Sequence, residues 1–407
     1  MEQDQRVRQL AGVAVALSSA RSVEGILQAL VDSLAPDLCD GCEVVLADPD
    51  GRLVRVAAGP AQMAVRIGVP VPDEPDHPAR IVFETGDTLL LHRGNPTDLK
   101  QFGPPDQPTT AAALGLQTAI LAPLTAEDRV LGVLVAAHGW SGRVWQEGDR
   151  EFVRSIATLT GIALEKLRLL DRQRHIARTL QASLLPAVLP PIEGAELAAH
   201  YWPAADDLQV GGDFYDVFPL GGSRWGLLVG DVCGKGVEAA AVTAAARHTA
   251  RAAALHLTEP DVVLRWVHEA IRALDLAFCT IAYATFDHES GELAVSLGGH
   301  PRGIVVRADG TTDGIGRHGT LLGMIEPDLH TETTTLGPGD LLALYTDGIT
   351  DVPRGAEMRV PELTALLAST ATGSLEAVGT SLHATLAARR PEGFADDIAL
   401  LLLRRTA

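Results

Sequence analysis

The chain has 407 residues, of which 46% are hydrophobic and 21% are charged, as in a folded globular protein, which excludes a largely disordered chain. Lys and Arg number 33 against 52 Asp and Glu, giving a net charge of −19 and no basic stripe for nucleic acid or an anionic membrane. The longest apolar runs, such as 398–403, are far shorter than the roughly 18 residues of a membrane helix. We therefore expect two or three globular domains, with neither nucleic acid nor membrane as a direct partner.

The first 168 residues follow the pattern of an α+β domain. The start of the chain superficially resembles a secretion signal, but Glu2 and Asp4 offset its arginines. We interpret it as a first helix and expect a cytoplasmic protein. A second helical pattern covers 22–35. Five strand-like runs follow, at 43–51, 52–59, 87–92, 118–125 and 129–139, and a Pro- and Gly-rich loop at 93–111 separates the third run from the fourth.

Two segments near the end of this domain carry a family resemblance. PLTAEDRVLGVLVAAHG (123–139) and WQEGDREFVRSIATLTGIALEKL (145–167) resemble the hairpin and long helix of a GAF domain. The resemblance implies a sensor of a small ligand or signal over residues 1–168. The sequence leaves the GAF ligand unknown, because it marks no haem ligand, chromophore cysteine or cyclic-nucleotide pocket.

Cys39 and Cys42 form a C-x-x-C pair in this domain, among four cysteines in the chain. The pair could be half of a zinc site or a redox pair. Since no second C-x-x-C or nearby His pair accompanies it, we interpret it as two partly buried thiols. This cysteine usage suits a reducing compartment.

Apolar residues spaced by four and three extend the last helix of this domain. The spacing predicts a heptad seam and therefore a dimeric coiled coil, although a helix packed on its own domain gives the same pattern. Pro186 and the pair Pro190–Pro191 end the helix, so we assign 169–190 as a helical linker and expect a homodimer. The seam consists of Phe152, Ile156, Leu159, Ala163, Leu167 and Leu170, and resumes at Ala177, Leu180 and Leu184.

Residues 191–407 read as a second α+β domain. Helical patterns are expected at 236–257, 260–274, 361–369 and 374–389. Because these helices are grouped in pairs among the strands, the pattern predicts a β-sandwich flanked by helices rather than alternating βαβ units. Eight strand-like runs cover 195–204, 211–220, 224–232, 278–288, 292–300, 303–310, 340–348 and 397–405.

Acidic residues recur at the ends of these strands. They are Asp213 in GGDFYD, Asp231 in GDVCGKG, Asp347 in YTDGITD, and the pair Asp396–Asp397 in FADDIAL. Gathered at one end of a sandwich, these carboxylates would repel one another unless divalent cations neutralised them. An all-oxygen ligand set selects hard ions such as Mg²⁺ or Mn²⁺.

Seven motifs follow one another between residues 178 and 403: LQASLLPAVLP, VGGDFYD, VGDVCGKGVEAA, FCTIAYATFD, LGGHPRG, LYTDGITD and FADDIAL. This succession resembles the stage II sporulation protein E family of PPM-type metal-dependent serine/threonine phosphatases. The resemblance implies a PPM-type fold, two Mn²⁺ or Mg²⁺ ions, and a phosphorylated anti-anti-sigma factor as substrate and partner. A GAF-regulated phosphatase in a partner-switching pathway is therefore expected.

The resemblance also implies roles for the acidic residues. Asp231 would bridge the two ions, with the carbonyl of Val232 as a neighbouring ligand. Asp347 and Asp396 would complete the first ion's ligands and, with Asp231, form the catalytic set. Asp213 would lie in or next to this shell, and Asp397 is the less certain member of its pair. Water activated by two ions about 4 Å apart would attack the phosphorus, so no protein nucleophile is needed.

Four further residues have alternative interpretations. Lys235 could hold a substrate phosphate or be a solvated loop lysine. His300 could be a general acid, but we favour a role in ordering the loop after its strand. Arg302 stands where the family usually has proline, at the substrate rim. Cys233 is interpreted as a small buried residue rather than a reactive thiol.

A second hypothesis competes with the enzyme. The C-terminal domain could be a non-catalytic interaction module that uses the phosphatase fold to bind a partner under control of the GAF ligand. A third, a sensor whose second domain only dimerises, leaves the acidic residues unexplained.

Overall fold

The computed structural model describes residues 3–59, 67–92, 115–204, 210–274, 278–350 and 358–406. The chain divides into two compact units, Met1–Asp171 and Arg172–Ala407. The loop predicted at 93–111 lies outside the described residues. Within the described ranges, no helix is long and apolar enough to cross a membrane.

An antiparallel five-stranded sheet forms the centre of the first unit. Its strands are β1 (Gly41–Ala47), β2 (Leu53–Gly59), β3 (Leu89–His92), β4 (Thr118–Ala126) and β5 (Arg129–His138), in the order β2-β1-β5-β4-β3. All five predicted runs are therefore confirmed. Each strand contributes side chains to the buried layers above and below the sheet.

Helices cover both faces of this sheet. One face packs against α1 (Gln3–Ser19), α2 (Val23–Leu34) and the first part of α4 (Arg150–Leu184), which follows a 3₁₀ turn at Glu147–Asp149. The other face packs against α3 (Pro78–Thr85). The sequence did not predict α3, because eight residues are too few for a clear helical period.

The cysteine pair of the first unit lies in its core. Cys39 and Cys42 are fully buried among the apolar side chains beneath α2, and neither is in a disulfide. The interpretation of these residues as buried thiols is confirmed.

The heptad seam predicted along α4 faces its own unit. Phe152 and Ile156 are buried in the core beside the sheet, and Leu159, Ala163 and Leu167 pack against that core. The assignment of these residues to a dimer seam was therefore wrong. The same spacing of apolar residues buries a helix equally well on a sheet or on another helix, so sequence could not separate the two.

A different apolar stripe on α4 is exposed. Ile162, Leu169 and Ile176 recur every seven residues, and their exposed fractions are 53%, 52% and 49%. The helix continues without interruption to Leu184.

Two antiparallel five-stranded sheets make up the second unit. One has the order β13-β10-β9-β8-β7 and the other β12-β11-β14-β15-β6. The strands are β6 (Ala195–Trp202), β7 (Phe214–Gly221), β8 (Arg224–Val232), β9 (Cys279–Asp287), β10 (Glu292–Gly298), β11 (Gly303–Val306), β12 (Thr312–Ile315), β13 (Thr331–Thr335), β14 (Leu341–Tyr345) and β15 (Ile398–Arg405).

The two sheets pack face to face between pairs of helices. Their inner faces share one apolar core. The outer face of the first sheet packs against α5 (Val237–Ala254) and α6 (Pro260–Arg272), and that of the second against α7 (Val360–Thr370) and α8 (Leu375–Arg389). The predicted sandwich flanked by paired helices is confirmed. Strands β12 and β13 were missed because they are polar edge strands, without the apolar alternation that marks a buried strand.

Close packing of α4 on β4 generates a test of the first unit. A Cβ atom on Gly161 would lie 2.3 Å from the carbonyl oxygen of Thr125, whereas one on Gly12 in α1 would meet nothing within 4 Å. We expect Gly161→Ala to lower the free energy of unfolding by about 1–3 kcal/mol through overpacking. The control Gly12→Ala should raise it by up to about 1 kcal/mol, because alanine favours helix.

Urea unfolding of the full chain, followed by circular dichroism, measures both effects. Equal stability of the Gly161→Ala variant and the wild type would contradict the close contact between α4 and β4.

Candidate active site

Strand pairing in the first sheet of the sandwich brings two acidic residues together. Strands β7 and β8 are antiparallel, with Phe214 opposite Gly230, so the start of β7 lies beside the end of β8. Asp213 immediately precedes β7, and Asp231 is the penultimate residue of β8. The antiparallel pairing of β7 and β8 therefore places the carboxylates of Asp213 and Asp231 at the same end of the sheet.

The second sheet contributes the other three in the same way. Tyr345 lies opposite Leu400, so the end of β14 meets the start of β15. Asp347 begins a 3₁₀ turn directly after β14, and Asp396 and Asp397 immediately precede β15. Each sheet thus presents its acidic residues at a strand terminus.

Thr346 joins the two sheets at this end. Its buried hydroxyl donates to Asp213 Oδ2 at 2.6 Å and accepts from the Ala399 amide at 2.9 Å. One side chain therefore connects the carboxylate before β7 to the backbone of β15. The predicted acidic residues converge at a single end of the sandwich.

The glycine pair before Asp213 allows this close approach. A Cβ atom on Gly212 would lie 2.3 Å from the carbonyl oxygen of Val232 and 2.9 Å from Asp231 Oδ1. A Cβ atom on Gly211 would lie 1.9 Å from Asp397 Oδ2. Any larger residue would displace groups of the cluster, so the backbone itself forms one wall of the site.

Burial and mutual repulsion raise the pKa values of the innermost carboxyls. Burial, followed by the negative charge of Asp231, holds the pKa of Asp213 well above its usual range. Burial raises the pKa of Asp231 to about 7, and the charges of Asp347, Asp396 and Asp397 add to the rise. At neutral pH this end of the sandwich therefore favours bound protons or bound cations.

The two neighbouring acids before β15 have different surroundings. Asp397 is buried, and its Oδ1 accepts from the Ala204 amide at 2.9 Å. The Asp396 side chain is 53% exposed, and its Oδ1 lies 3.0 Å from Lys235 Nζ. These positions suit Asp396 for contact with an ion or substrate and Asp397 for holding the loop.

The donor set has the chemistry of a hard-ion site. Carboxylate oxygens dominate it, and the Val232 carbonyl lies against the Gly212 backbone, next to Asp213. Within the described ranges, no three His, Cys, Asp or Glu side chains are grouped closely enough to form a metal-binding cluster as they stand. Asp213 instead hydrogen-bonds Asp231, and Lys235 pairs with Asp396. Residues and charge fit Mg²⁺ or Mn²⁺, and the assignment of individual ligands stays a prediction.

The structure distinguishes between the interpretations of the nearby loop residues. Lys235 pairs with Asp396, so it is not a fully solvated loop lysine, and its contact with a substrate phosphate stays a prediction. Cys233 is exposed, so its assignment as a buried residue was wrong. The chain leaves β8 at Val232, and the following loop faces solvent, which strand periodicity could not indicate.

His300 lies beneath the site rather than in it. It is buried, and its Nδ1 is 2.9 Å from the hydroxyl of Thr280, the strand partner of Asp231. Burial lowers the pKa of His300 to about 3, so the ring is neutral near pH 7. These features favour the role of ordering the loop over that of a general acid.

Arg302 lies along edge strand β12. Its guanidinium donates to the carbonyl oxygens of Gly316 at 2.8 Å and Gly314 at 2.7 Å. With Arg317, it lines a cavity of about 720 Å³ beside β12 and β13. Its assignment to the substrate rim stays a prediction.

The roles of three residues around the acidic cluster were not identified from the sequence: Thr346 and Tyr201 hydrogen-bond its carboxylates, and Gln181 hydrogen-bonds Tyr201. Thr346 lies within the motif YTDGITD, so its position was marked although its role was not. Gln181 lies within the motif LQASLLPAVLP, so its position was also marked although its role was not. Tyr201 in β6 lies in none of the seven motifs and carried no signal, because a strand tyrosine is an ordinary surface or core residue.

Comparisons with known proteins agree with this architecture. Residues 221–406 match the family model of Stage II sporulation protein E, and residues 22–164 match that of the GAF domain. Protein IcfG of Synechocystis sp. is 28% identical over an alignment of 204 residues that covers 43% of this chain and 32% of that protein. The chain therefore spans about a third of the length of this curated relative.

Two solved structures are similar to parts of this chain. The SiaA-PP2C domain of Pseudomonas aeruginosa aligns with a TM-score of 0.50 and 22% identity, covering 60% of this chain and 99% of that one. The RsbU and RsbW domains of Rv1364c from Mycobacterium tuberculosis align with a TM-score of 0.47 and 30% identity, covering 54% and 62%.

The fold and the family matches together define the class of each unit. The second unit is a PPM-type phosphatase domain of the Stage II sporulation protein E kind. The first is a GAF domain, so the chain joins a GAF domain to a phosphatase-type domain.

The raised carboxyl pKa values predict how stability depends on pH. Between about pH 4 and 7, the unfolded chain releases protons that the folded cluster retains, so stability in EDTA should fall as pH rises. Asp213→Asn removes one charge while its amide oxygen can still accept from Thr346. Its melting temperature should decline less than that of the wild type over this range.

Differential scanning calorimetry from pH 5 to pH 7.5 tests this expectation, with Asp313→Asn on the exposed part of β12 as the matched control. An identical decline in all three proteins would contradict the electrostatic account of the cluster.

Proposed function

We propose that this protein is a sensor-regulated phosphatase that hydrolyses phosphoserine or phosphothreonine on a regulatory protein. The observation that carries the proposal is the convergence of five acidic residues at one end of a phosphatase-type sandwich, where the pKa values of Asp213, Asp231 and Asp397 are raised. The five are Asp213, Asp231, Asp347, Asp396 and Asp397. Without a neutralising ion, such a group would only destabilise the fold.

Two divalent ions, Mn²⁺ or Mg²⁺, would supply Lewis-acid activation of water and neutralise charge on the phosphoryl group. Asp231, Asp347 and Asp396 would hold them, with the Val232 carbonyl and Asp213 alongside. Lys235, now paired with Asp396, would exchange this contact for a substrate phosphate oxygen. His300 supports the loop beside Asp231 through Thr280.

The proposed substrate is a phosphorylated protein of the anti-anti-sigma type in a partner-switching pathway. This assignment is supported by the ordered motifs between residues 178 and 403 and by the match to Stage II sporulation protein E. The four unpaired cysteines suit the cytoplasm, where such a substrate would act.

We further propose that the GAF domain, residues 1–168, regulates the catalytic domain, residues 191–407, through the helical linker 169–190. A signal at the GAF domain would act through α4, which extends from Arg150 to Leu184. The exposed stripe Ile162, Leu169 and Ile176 supports a homodimer, because apolar residues at seven-residue intervals pack helices in parallel pairs.

Hydrolysis assays test the enzyme directly. We expect the wild type to hydrolyse p-nitrophenyl phosphate and a phosphoserine protein with Mn²⁺ or Mg²⁺ but not with EDTA. Asp347→Asn should reduce kcat/KM at least about 100-fold, because a metal-facing carboxylate is lost. The control Asp313→Asn should retain full activity.

The alternative, a non-catalytic interaction module, predicts a different outcome. Folded protein that binds Mn²⁺ yet shows no turnover, with or without a GAF ligand, would support the module. Binding of the partner protein by both the wild type and Asp347→Asn would then be the retained function.

Light scattering tests the dimer. At micromolar concentration we expect twice the 42.9 kDa chain mass for the wild type. Ile176→Glu should lower it to one chain, because a charge in an apolar seam is costly to bury. Val188→Glu, at an exposed position beyond α4, is the control. A monomeric wild type would rule the homodimer out.

A further inference from the structure

The side-chain amide of Gln181, near the end of α4, uses both of its polar groups within the second unit. Its Nε2 donates to the Tyr201 hydroxyl at 2.9 Å, and its Oε1 accepts from the Gly211 amide at 2.6 Å. Two such bonds in different directions fix the amide in a single orientation. Gln181 therefore joins α4 to both β6 and the segment that precedes β7.

The first of these bonds leads to Asp397. The Tyr201 hydroxyl also hydrogen-bonds the Asp397 carboxylate, whose Oδ1 accepts from the Ala204 amide. A Cβ atom on Gly211 would lie 2.5 Å from the Tyr201 oxygen and 1.9 Å from Asp397 Oδ2, so these groups are in direct contact. The amide of Gln181 thus orients the Tyr201 hydroxyl, which holds the carboxylate of Asp397 next to Asp396.

The second bond leads to Asp213. Gly211 opens the segment Gly211–Gly212–Asp213, and the Gly212 carbonyl accepts from the Val232 amide at 3.2 Å. Gly212 in turn lies against Asp231 Oδ1 and the Val232 carbonyl. Holding the Gly211 amide therefore sets the position of the backbone that lines the carboxylates of β7 and β8.

We propose that Gln181 is a positioning residue for the divalent-ion site. It holds the Tyr201–Asp397 pair on one side and the Gly211–Asp213 backbone on the other, so that the carboxylates can close around the ions. This inference rests on the proposed function. Residues that orient metal ligands without touching the ion affect metal affinity by about 10- to 100-fold when they are removed.

Calorimetric titration of the full chain with Mn²⁺, without substrate, tests the inference. We expect Gln181→Ala to weaken Mn²⁺ binding about 10- to 100-fold. The matched control is Gln173→Ala, the same substitution at an exposed position of the same helix, and it should bind as the wild type does. In assays, Gln181→Ala should raise the Mn²⁺ concentration for half-maximal rate more than the substrate KM.

A double-mutant cycle with Tyr201→Phe separates positioning from general destabilisation. If the Gln181 amide acts through the Tyr201 hydroxyl, the double variant should lose markedly less Mn²⁺ affinity than the product of the fold-losses of the two single variants. A purely structural role would lower the melting temperature in EDTA and leave the affinity of the folded protein unchanged.

The possible failures are distinguishable. Wild-type Mn²⁺ affinity in Gln181→Ala, or fully multiplicative losses in the cycle, would overturn the role of Gln181 and leave the proposed phosphatase intact. A wild type that neither binds Mn²⁺ nor hydrolyses phosphoserine would overturn both.

Discussion

Mutual repulsion among the carboxylates at one end of the sandwich is the constraint on which the second unit depends. Buried Asp213 lies beside half-buried Asp231, with Asp347, Asp396 and Asp397 near enough to raise the pKa of Asp231. A fold that buries a cluster of carboxylates loses stability, and natural proteins retain such a destabilising cluster where it serves a function. The contacts around the cluster hold the carboxylates in place in spite of the repulsion.

Backbone and hydroxyl groups provide most of this support. Thr346 connects Asp213 to β15, and the Gly211–Gly212 pair lets the chain pass directly over the carboxylates. Buried polar groups of this kind stabilise a fold only when their hydrogen bonds are complete. The amide of Gln181 completes the set, which gives the end of α4 direct contact with the site.

The α4 helix shows how one apolar pattern can serve different purposes. Its four- and three-residue spacing buries Phe152 and Ile156 in the first unit, while Ile162 and Leu169 remain exposed. Periodicity reports that a face is apolar and says nothing about the surface that covers it. Cys233 is a similar case, since its apolar character did not reveal that the chain leaves the sheet one residue earlier.

The sequence by itself determined the two units, the paired helices of the sandwich and the acidic residues at the strand ends, because local periodicity and contiguous motifs carry that information. It missed α3 and the edge strands β12 and β13, which are too short or too polar for a clear period. Only the tertiary structure decided that Tyr201 contacts Asp397 and that Gln181 in turn contacts Tyr201. It also decided that His300 is buried beside Thr280, and that Asp396 and Asp397 differ in exposure. These are contacts between residues far apart in the chain, and single-residue chemistry does not encode them.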